Sequence, residues 1–161
     1  MYRLHSVIIG KGKVLDKVTL PFGIRDIKYD VNKGFLLNGK PVKMNGVCLH
    51  HDAGSVGAAV PEAMWVRRLK LLKEMGCNAI RTSHNPVGPE FLDLLYRIVY
   101  LVQDEIYDKW KASKLKYGYS NYFDQWSQHE LVGFIHRDRN HPSVVMWSAG
   151  NEIGEQKQEK G

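Results

Sequence analysis

Only two cysteines occur among the 161 residues, Cys48 and Cys77. Each sits inside an apolar run, and the two form neither a metal-spaced pair nor a disulfide framework, so both read as buried free thiols and leave the redox compartment open. No stretch approaches the roughly 20 apolar residues that a membrane helix requires. The opening Met1-Tyr2-Arg3-Leu4-His5-Ser6 does not lead into a signal-peptide core. A membrane is therefore not an expected partner; compartment stays undetermined, with a periplasmic or secreted parent still open. Internal repeats are missing. So is any single-sign charge block: the formal charge is +6 and the pI about 9.3, yet Lys and Arg are scattered among acids, which argues against nucleic acid as a partner.

What is present is the composition of a globular domain, 43% hydrophobic and 25% charged. From Leu4 to Val31 the chain reads as short strands rich in Val and Ile, punctuated by Gly10, Gly12 and a Pro21-Phe22-Gly23 turn. These are too few to close a sandwich, so a free edge is expected. Phe35-Leu36-Leu37, Asn38-Gly39 and a second run from Val42 predict a hairpin, because Asn-Gly accepts the positive φ of a two-residue turn. Beyond residue 40 strand and helix alternate, the pattern of parallel βα units. Strands are expected at Val42–Leu49, Cys77–Ile80, Tyr100–Val102 and Val144–Trp147. Helices opening at Pro61-Glu62, at Pro89-Glu90 and over Phe123–Arg139 lie between them. The chain closes on a polar tail from Glu155 to Gly161.

The fold class is thus α/β: a partial (β/α)8 TIM barrel, its first four βα units, since a whole barrel takes about 250 residues. In such a barrel the chemistry gathers where strands end. Here those ends carry His50-His51-Asp52, Arg81-Thr82-Ser83-His84-Asn85-Pro86, Asp104-Glu105 and Ser148-Ala149-Gly150-Asn151-Glu152. A carboxylic acid beside a carboxamide suits glycoside cleavage: the acid protonates the leaving oxygen while the amide bonds a sugar hydroxyl. Glu152 and Asn151 fit those roles, although a solvated charge near a polar end is the plainer reading of Glu152. The loop from Ile106 to Ser120 carries Tyr107, Trp110, Tyr117 and Tyr119; loop packing explains most of these rings, and Trp110 is the best sugar platform. A metal hydrolase built on His50, His51 and Asp52 with Glu105 or Glu152 is disfavoured, because adjacent strand residues point to opposite faces. No protein metal site is expected.

The segment His141-Pro142-Ser143-Val144-Val145-Met146-Trp147-Ser148-Ala149-Gly150-Asn151-Glu152 resembles the acid/base signature of glycoside hydrolase family 2, whose members include β-galactosidases, β-glucuronidases and β-mannosidases. Other segments resemble it in order: Phe22-Gly23-Ile24-Arg25, Leu37-Asn38-Gly39-Lys40-Pro41, Asn45-Gly46-Val47, the Arg81 to Pro86 run and Val102-Gln103-Asp104-Glu105. The likeness runs from about Asp16 to Glu155. It implies residues 1–30 as the last strands of an immunoglobulin-like β-sandwich and 31–161 as the N-terminal half of a TIM-barrel catalytic domain. It also implies Glu152 as general acid/base, Asn151 as a contact to the 2-hydroxyl, His50 and His84 lining the sugar pocket, Arg81 bracing the carboxylates and Glu105 as a supporting carboxylate. The activity implied is retaining hydrolysis of terminal β-linked sugars, with Cys48 to Gly54 nearest to β-galactosidase types. The partner is then a carbohydrate substrate. No cofactor is required, and a magnesium or sodium ion near Glu152 is possible in a full-length enzyme.

Two positions depart from the family pattern, which has aspartate and glycine where Tyr96 and Val99 stand; the turn before the third strand loses its glycine and is expected to be strained or shifted. Ala149 replaces a larger apolar residue. The second carboxylate that retaining chemistry needs, about 5–5.5 Å from the first, is expected beyond this sequence, so the isolated chain is expected to be inactive. A non-catalytic carbohydrate-binding or vestigial module is the alternative.

Overall fold

The structure, a computed structural model, describes residues 2–112 and 115–157. Residues 158–161 of the expected polar tail and 113–114 of the aromatic loop lie outside the described residues.

The chain opens with a two-stranded antiparallel hairpin, β1 (Tyr2–Gly10) and β2 (Lys13–Phe22), bulged between Ile8 and Ile9. Pro21 and Phe22 do not form the expected turn; they continue β2, opposite Arg3 and Tyr2. Proline is tolerated there because β2 is an edge strand whose outer N–H positions need no partner. No second sheet covers the hairpin among the described residues, and Leu4, Ile8, Leu15 and Leu20 are exposed.

A three-stranded antiparallel sheet follows, made of β3 (Ile27–Asp30), β4 (Gly34–Leu37) and β5 (Lys40–Pro41). Asn38 and Gly39 make the expected turn, with φ of 53° and 75°. The returning strand is shorter and earlier than expected, because only Lys40 and Pro41 pair with β4. The expected boundary at residue 30 falls between β3 and β4, which are hydrogen-bonded to each other. This small sheet is tied to the rest of the molecule by Arg25, which donates to the Val144 carbonyl at 2.6 Å, and by the Tyr29 hydroxyl, which donates to the Val145 carbonyl at 2.8 Å.

The remainder is a parallel sheet in the order β6 (Gly46–His50), β7 (Ala79–Ser83), β8 (Leu101–Glu105), β9 (Val144–Ser148). Helices α1 (Glu62–Glu74), α2 (Pro89–Arg97) and α3 (Phe123–Asp138) connect successive strands. Four strands and three helices are thus seen; after β9 the chain passes into a 3-10 turn at Gly154–Lys157. Two strands lie later than expected: β6 starts only at Gly46, where Ala79 pairs with it, and β7 keeps the polar Arg81, Thr82 and Ser83 within the ladder.

The core forms where one face of this sheet meets α1 and α2. Ile80, Val102 and Val144 from the strands pack with Leu69, Leu92 and Leu95, all at most 2% exposed. Each such side chain contributes about 1.5–3 kcal/mol on leaving water. Among the described residues no helix covers the opposite face. Alternation therefore places Gly46, Cys48 and His50 in the open, which corrects the expectation that Cys48 is buried; Cys77 is only partly buried.

Candidate active site

The helix-free face carries the polar cluster at its carboxyl-terminal edge. Parallel registry brings His50 level with Ser83, and Glu105 level with Ser148. Glu105 is the hub, a fully buried carboxylate with both oxygens engaged. Arg81 donates to its Oε2 through Nε at 3.0 Å and Nη2 at 2.6 Å. The Ser148 hydroxyl donates to the same oxygen at 2.5 Å, and His84 Nδ1 meets Oε1 at 2.6 Å. Burying a charge is tolerable only with such pairing. Arg81 also reaches Asn151 Oδ1 at 3.1 Å, so one guanidinium links the ends of β7, β8 and the loop after β9. Burial works against the charge of Arg81, but its bonds to Glu105 outweigh that and its pKa is raised.

Asn151 is held on three sides. Its N–H donates to the Tyr107 carbonyl at 3.0 Å, its amide donates to Asp108 Oδ1 at 3.1 Å, and Arg81 holds its oxygen. Glu152 follows in left-handed backbone, φ 46°, which turns its side chain away from the strand line. Lys109 Nζ lies 3.0 Å from Glu152 Oε2 and 3.2 Å from the Asn151 carbonyl. Gly150 packs closely here: a Cβ there would stand 2.5 Å from Ile153 Cδ1 and 3.1 Å from Trp110 Nε1, so a larger residue would have to move the Ile153 side chain.

His84, Asn151 and Glu152 line one cavity of about 1080 Å³ that continues between the loop after β7 and α3. His50 stands edge-on to His84, with ring centroids 5.0 Å apart. His51 points the other way and packs on Trp65 at 5.3 Å and Phe91 at 6.2 Å, so the two adjacent histidines share no ion. Among the described residues no three His, Cys, Asp or Glu side chains come together as a metal site, and Glu105 has both oxygens occupied. Trp110 does not line the cavity. Its indole N–H donates to the Ala149 carbonyl at 2.9 Å and its ring packs on Phe123, so it props the loop that carries Asn151. Tyr107 and Tyr119 stack on each other at 5.3 Å, and Tyr117 is exposed.

Sequence reading missed three participants: Ser148, Asp108 and Lys109. Ser148 and Asp108 stood inside runs already singled out, but simple alternation from the core residue Val144 would have put Ser148 on the helix side; the register shift between β8 and β9 turns it to Glu105. Lys109 had no signal of its own.

The family model described as Glycosyl hydrolases family 2, TIM barrel domain, matches residues 29–160. The chain is 50% identical over 156 residues to Beta-galactosidase BoGH2A of Bacteroides ovatus, covering 97% of this chain and 18% of that protein. It is 44% identical over 153 residues to a putative beta-glucuronidase of Formosa agariphila, covering 94% of this chain and 15% of that one. A crystal structure of a beta-glycosidase from Bacteroides vulgatus superposes with a TM-score of 0.90 at 51% identity, covering 94% of this chain and 20% of that one. The chain therefore spans about a fifth of the length of the relatives it matches.

Proposed function

The chain belongs to glycosyl hydrolase family 2, and on that premise we propose that it is part of a retaining β-glycosidase acting on terminal β-galactosides. Residues 1–30 are the last strands of a sandwich domain and 31–161 the first half of the catalytic barrel. Family members are glycoside hydrolases. What supports the assignment of roles is one observation: the amide Asn151 is bound to the ends of β7 and β8 through Arg81 and Glu105, and Lys109 holds the adjacent acid Glu152 beside the Asn151 carbonyl.

Glu152 donates its proton to the glycosidic oxygen as the bond breaks, and takes one from water when the glycosyl-enzyme is hydrolysed. Asn151, held by Arg81 and Asp108, presents its amide to the sugar's 2-hydroxyl. His84 and His50 wall the sugar pocket. Glu105 is not the nucleophile. Its oxygens are taken up by Arg81, Ser148 and His84, and a carboxylate so paired has little electron density to offer a sugar carbon. It holds the site in shape, and the nucleophile lies outside this sequence.

The test is kinetic. In the full-length hydrolase, Glu152→Gln is expected to lower kcat on a β-galactoside about 10²–10⁴-fold with the protein still folded. A loss under tenfold overturns the assignment of Glu152. Turnover by the isolated chain that Glu152→Gln destroys would show that a nucleophile is present after all.

A further inference from the structure

Burial does not aim Glu152. Its side chain is 70% exposed, and it sits in a left-handed turn beyond the last residue of β9. The aim therefore depends on what holds that turn. Part of the hold comes from one other loop, the chain from 106 to 122 between β8 and α3. Ile106 N–H donates to the Ser148 carbonyl at 3.1 Å, and the Tyr107 carbonyl accepts from Asn151 N–H. The Trp110 indole donates to the Ala149 carbonyl, and the Lys109 ammonium meets both the Asn151 carbonyl and the Glu152 carboxylate. Among its described residues this loop has only a 3-10 turn at Tyr119–Asn121 for regular structure. A connection that long keeps one shape only when outside contacts offset the entropy of ordering it.

Glu155 supplies the contact that fixes the loop's next stretch. Its Oε1 accepts the N–H of Lys111 and the N–H of Ala112, each at 2.8 Å. The Ala112 N–H above all holds the Glu155 carboxyl below the usual carboxylate range, so the acceptor is ionised at neutral pH. The two loops meet closely at the same place, where a Cβ on Gly154 would stand 2.9 Å from Ala112 Cβ. On the far side Lys111 Nζ lies 2.6 Å from Asp124 Oδ1 in the first turn of α3. Two ties thus bracket the acid: Trp110 to Ala149 before it, and Lys111 and Ala112 to Glu155 after it.

Resting on the assignment of Glu152 as general acid, we propose that Glu155 is its positioning residue, gripping the backbone at Lys111 and Ala112 so that Trp110 stays bonded to Ala149 and Lys109 to Glu152. Glu155 stands outside the wall of the cavity that Glu152 lines, so it acts through the loop and not on the sugar. An oxygen acceptor is what the role requires; the negative charge only strengthens the two bonds. Proton donation tolerates little error, since a misplacement of about 1 Å can cost about 10²-fold. The consequence is selective. A departing alkoxide is a strong base and needs the proton, whereas a dinitrophenolate is a weak base and leaves without it.

That selectivity is the test. In the full-length hydrolase, kcat/KM is measured on an alkyl and on a dinitrophenyl β-glycoside of the sugar it cleaves. Glu155→Ala is expected to lower the alkyl value about 10–100-fold and the dinitrophenyl value less than about threefold. Glu155→Gln, whose amide oxygen can still accept both N–H groups, is expected to recover most of the alkyl value. A loss of equal size on both substrates overturns the proposal, because misfolding or weaker sugar binding acts on both alike. So does no loss on either, or a glutamine variant as impaired as the alanine one. Glu152→Gln separates the proposal from its premise. Equal losses on both substrates for that variant refute the general acid itself, whereas a selective loss for Glu152→Gln without one for Glu155→Ala refutes only the positioning by Glu155.

Discussion

Asp104 and Glu105 are neighbours on β8, equally buried at 0% exposure, and face opposite sides of the sheet. On the site side every oxygen of Glu105 has a donor, one of them a guanidinium. On the helix side Asp104 accepts from the Thr82 hydroxyl at 3.1 Å on one oxygen, and its other neighbour is a second acid, Asp138, with which it can share a hydrogen bond only while one of the two is protonated. Arg137 is bonded to Asp138 and offsets the charge of Asp104 only in part. Burial and then Asp138 push the Asp104 carboxyl up to about 7. One strand thus carries a matched charge at the candidate site and a mismatched one where a helix docks. The site side gains rigidity from its pairing; the helix side accepts an acid that is neutral over part of the pH range.

Breaking the matched side has the largest expected effect. Arg81→Met leaves Glu105 buried with only His84 and Ser148, and should destabilise the protein by about 3–5 kcal/mol at neutral pH. Urea denaturation followed by tryptophan fluorescence measures it. A loss under about 1 kcal/mol would mean that water reaches Glu105 and that the contrast across β8 is false.

Repairing the mismatched side is the next test, and it changes the sign. The folded carboxyl of Asp104 stands at about 7 against an ordinary 3.8, so the folded state holds a proton that the unfolded chain has already released between those values. Stability from this group therefore falls as pH rises from about 4 through about 7 and stays low above that. Asp104→Asn keeps an acceptor for Thr82 and adds a donor towards Asp138. It should remove this slope, leaving the variant more stable than the parent at pH 8 by about 2–3 kcal/mol and little different at pH 4.5. Parallel pH profiles of the two proteins would end the argument.

The site side was largely legible in the sequence because strand ends are local signals: a short apolar run followed by polar residues marks each edge, and parallel pairing brings the edges together. Arg81, His84, Glu105, Asn151 and Glu152 were all named on that ground or by resemblance; the structure joins the first four in one network and ties Glu152 to it only through Lys109. The mismatch at Asp104 was not legible, since it depends on how α3 turns its last residues and Asp138 is 34 positions away. Lys109 escaped for the same reason: it meets Glu152 across 43 residues of helix and strand. Boundaries shifted where a strand needed a partner to exist, as at Gly46, which becomes extended only opposite Ala79.

The smallest effect comes from a backbone contrast between the same two sides. Val99 and Glu152 are both in left-handed backbone, φ 63° and 46°, where a Cβ is crowded. Glu152 spends that strain on aiming the proposed acid. Val99 aims nothing; it closes α2 where α1 closes on Gly76 at φ 86°, and it is 74% exposed. The sequence flagged this turn for lacking glycine, and the chain meets the lack by strain rather than by a shift, since Val99 N–H still bonds the Tyr96 carbonyl at 3.1 Å and Tyr100 N–H the Leu95 carbonyl at 2.9 Å. Removing the valine side chain gives up little burial and relieves the crowding, partly offset by the greater freedom of glycine in the unfolded chain. Val99→Gly should therefore stabilise by about 1 kcal/mol, read as a higher urea midpoint at unchanged slope, with β-glycoside turnover in the full-length hydrolase unaltered. A lower midpoint would mean that the branched side chain holds the end of α2 through contacts on its remaining buried surface, and the strain on the helix side would then serve the fold much as the strain at Glu152 serves the site.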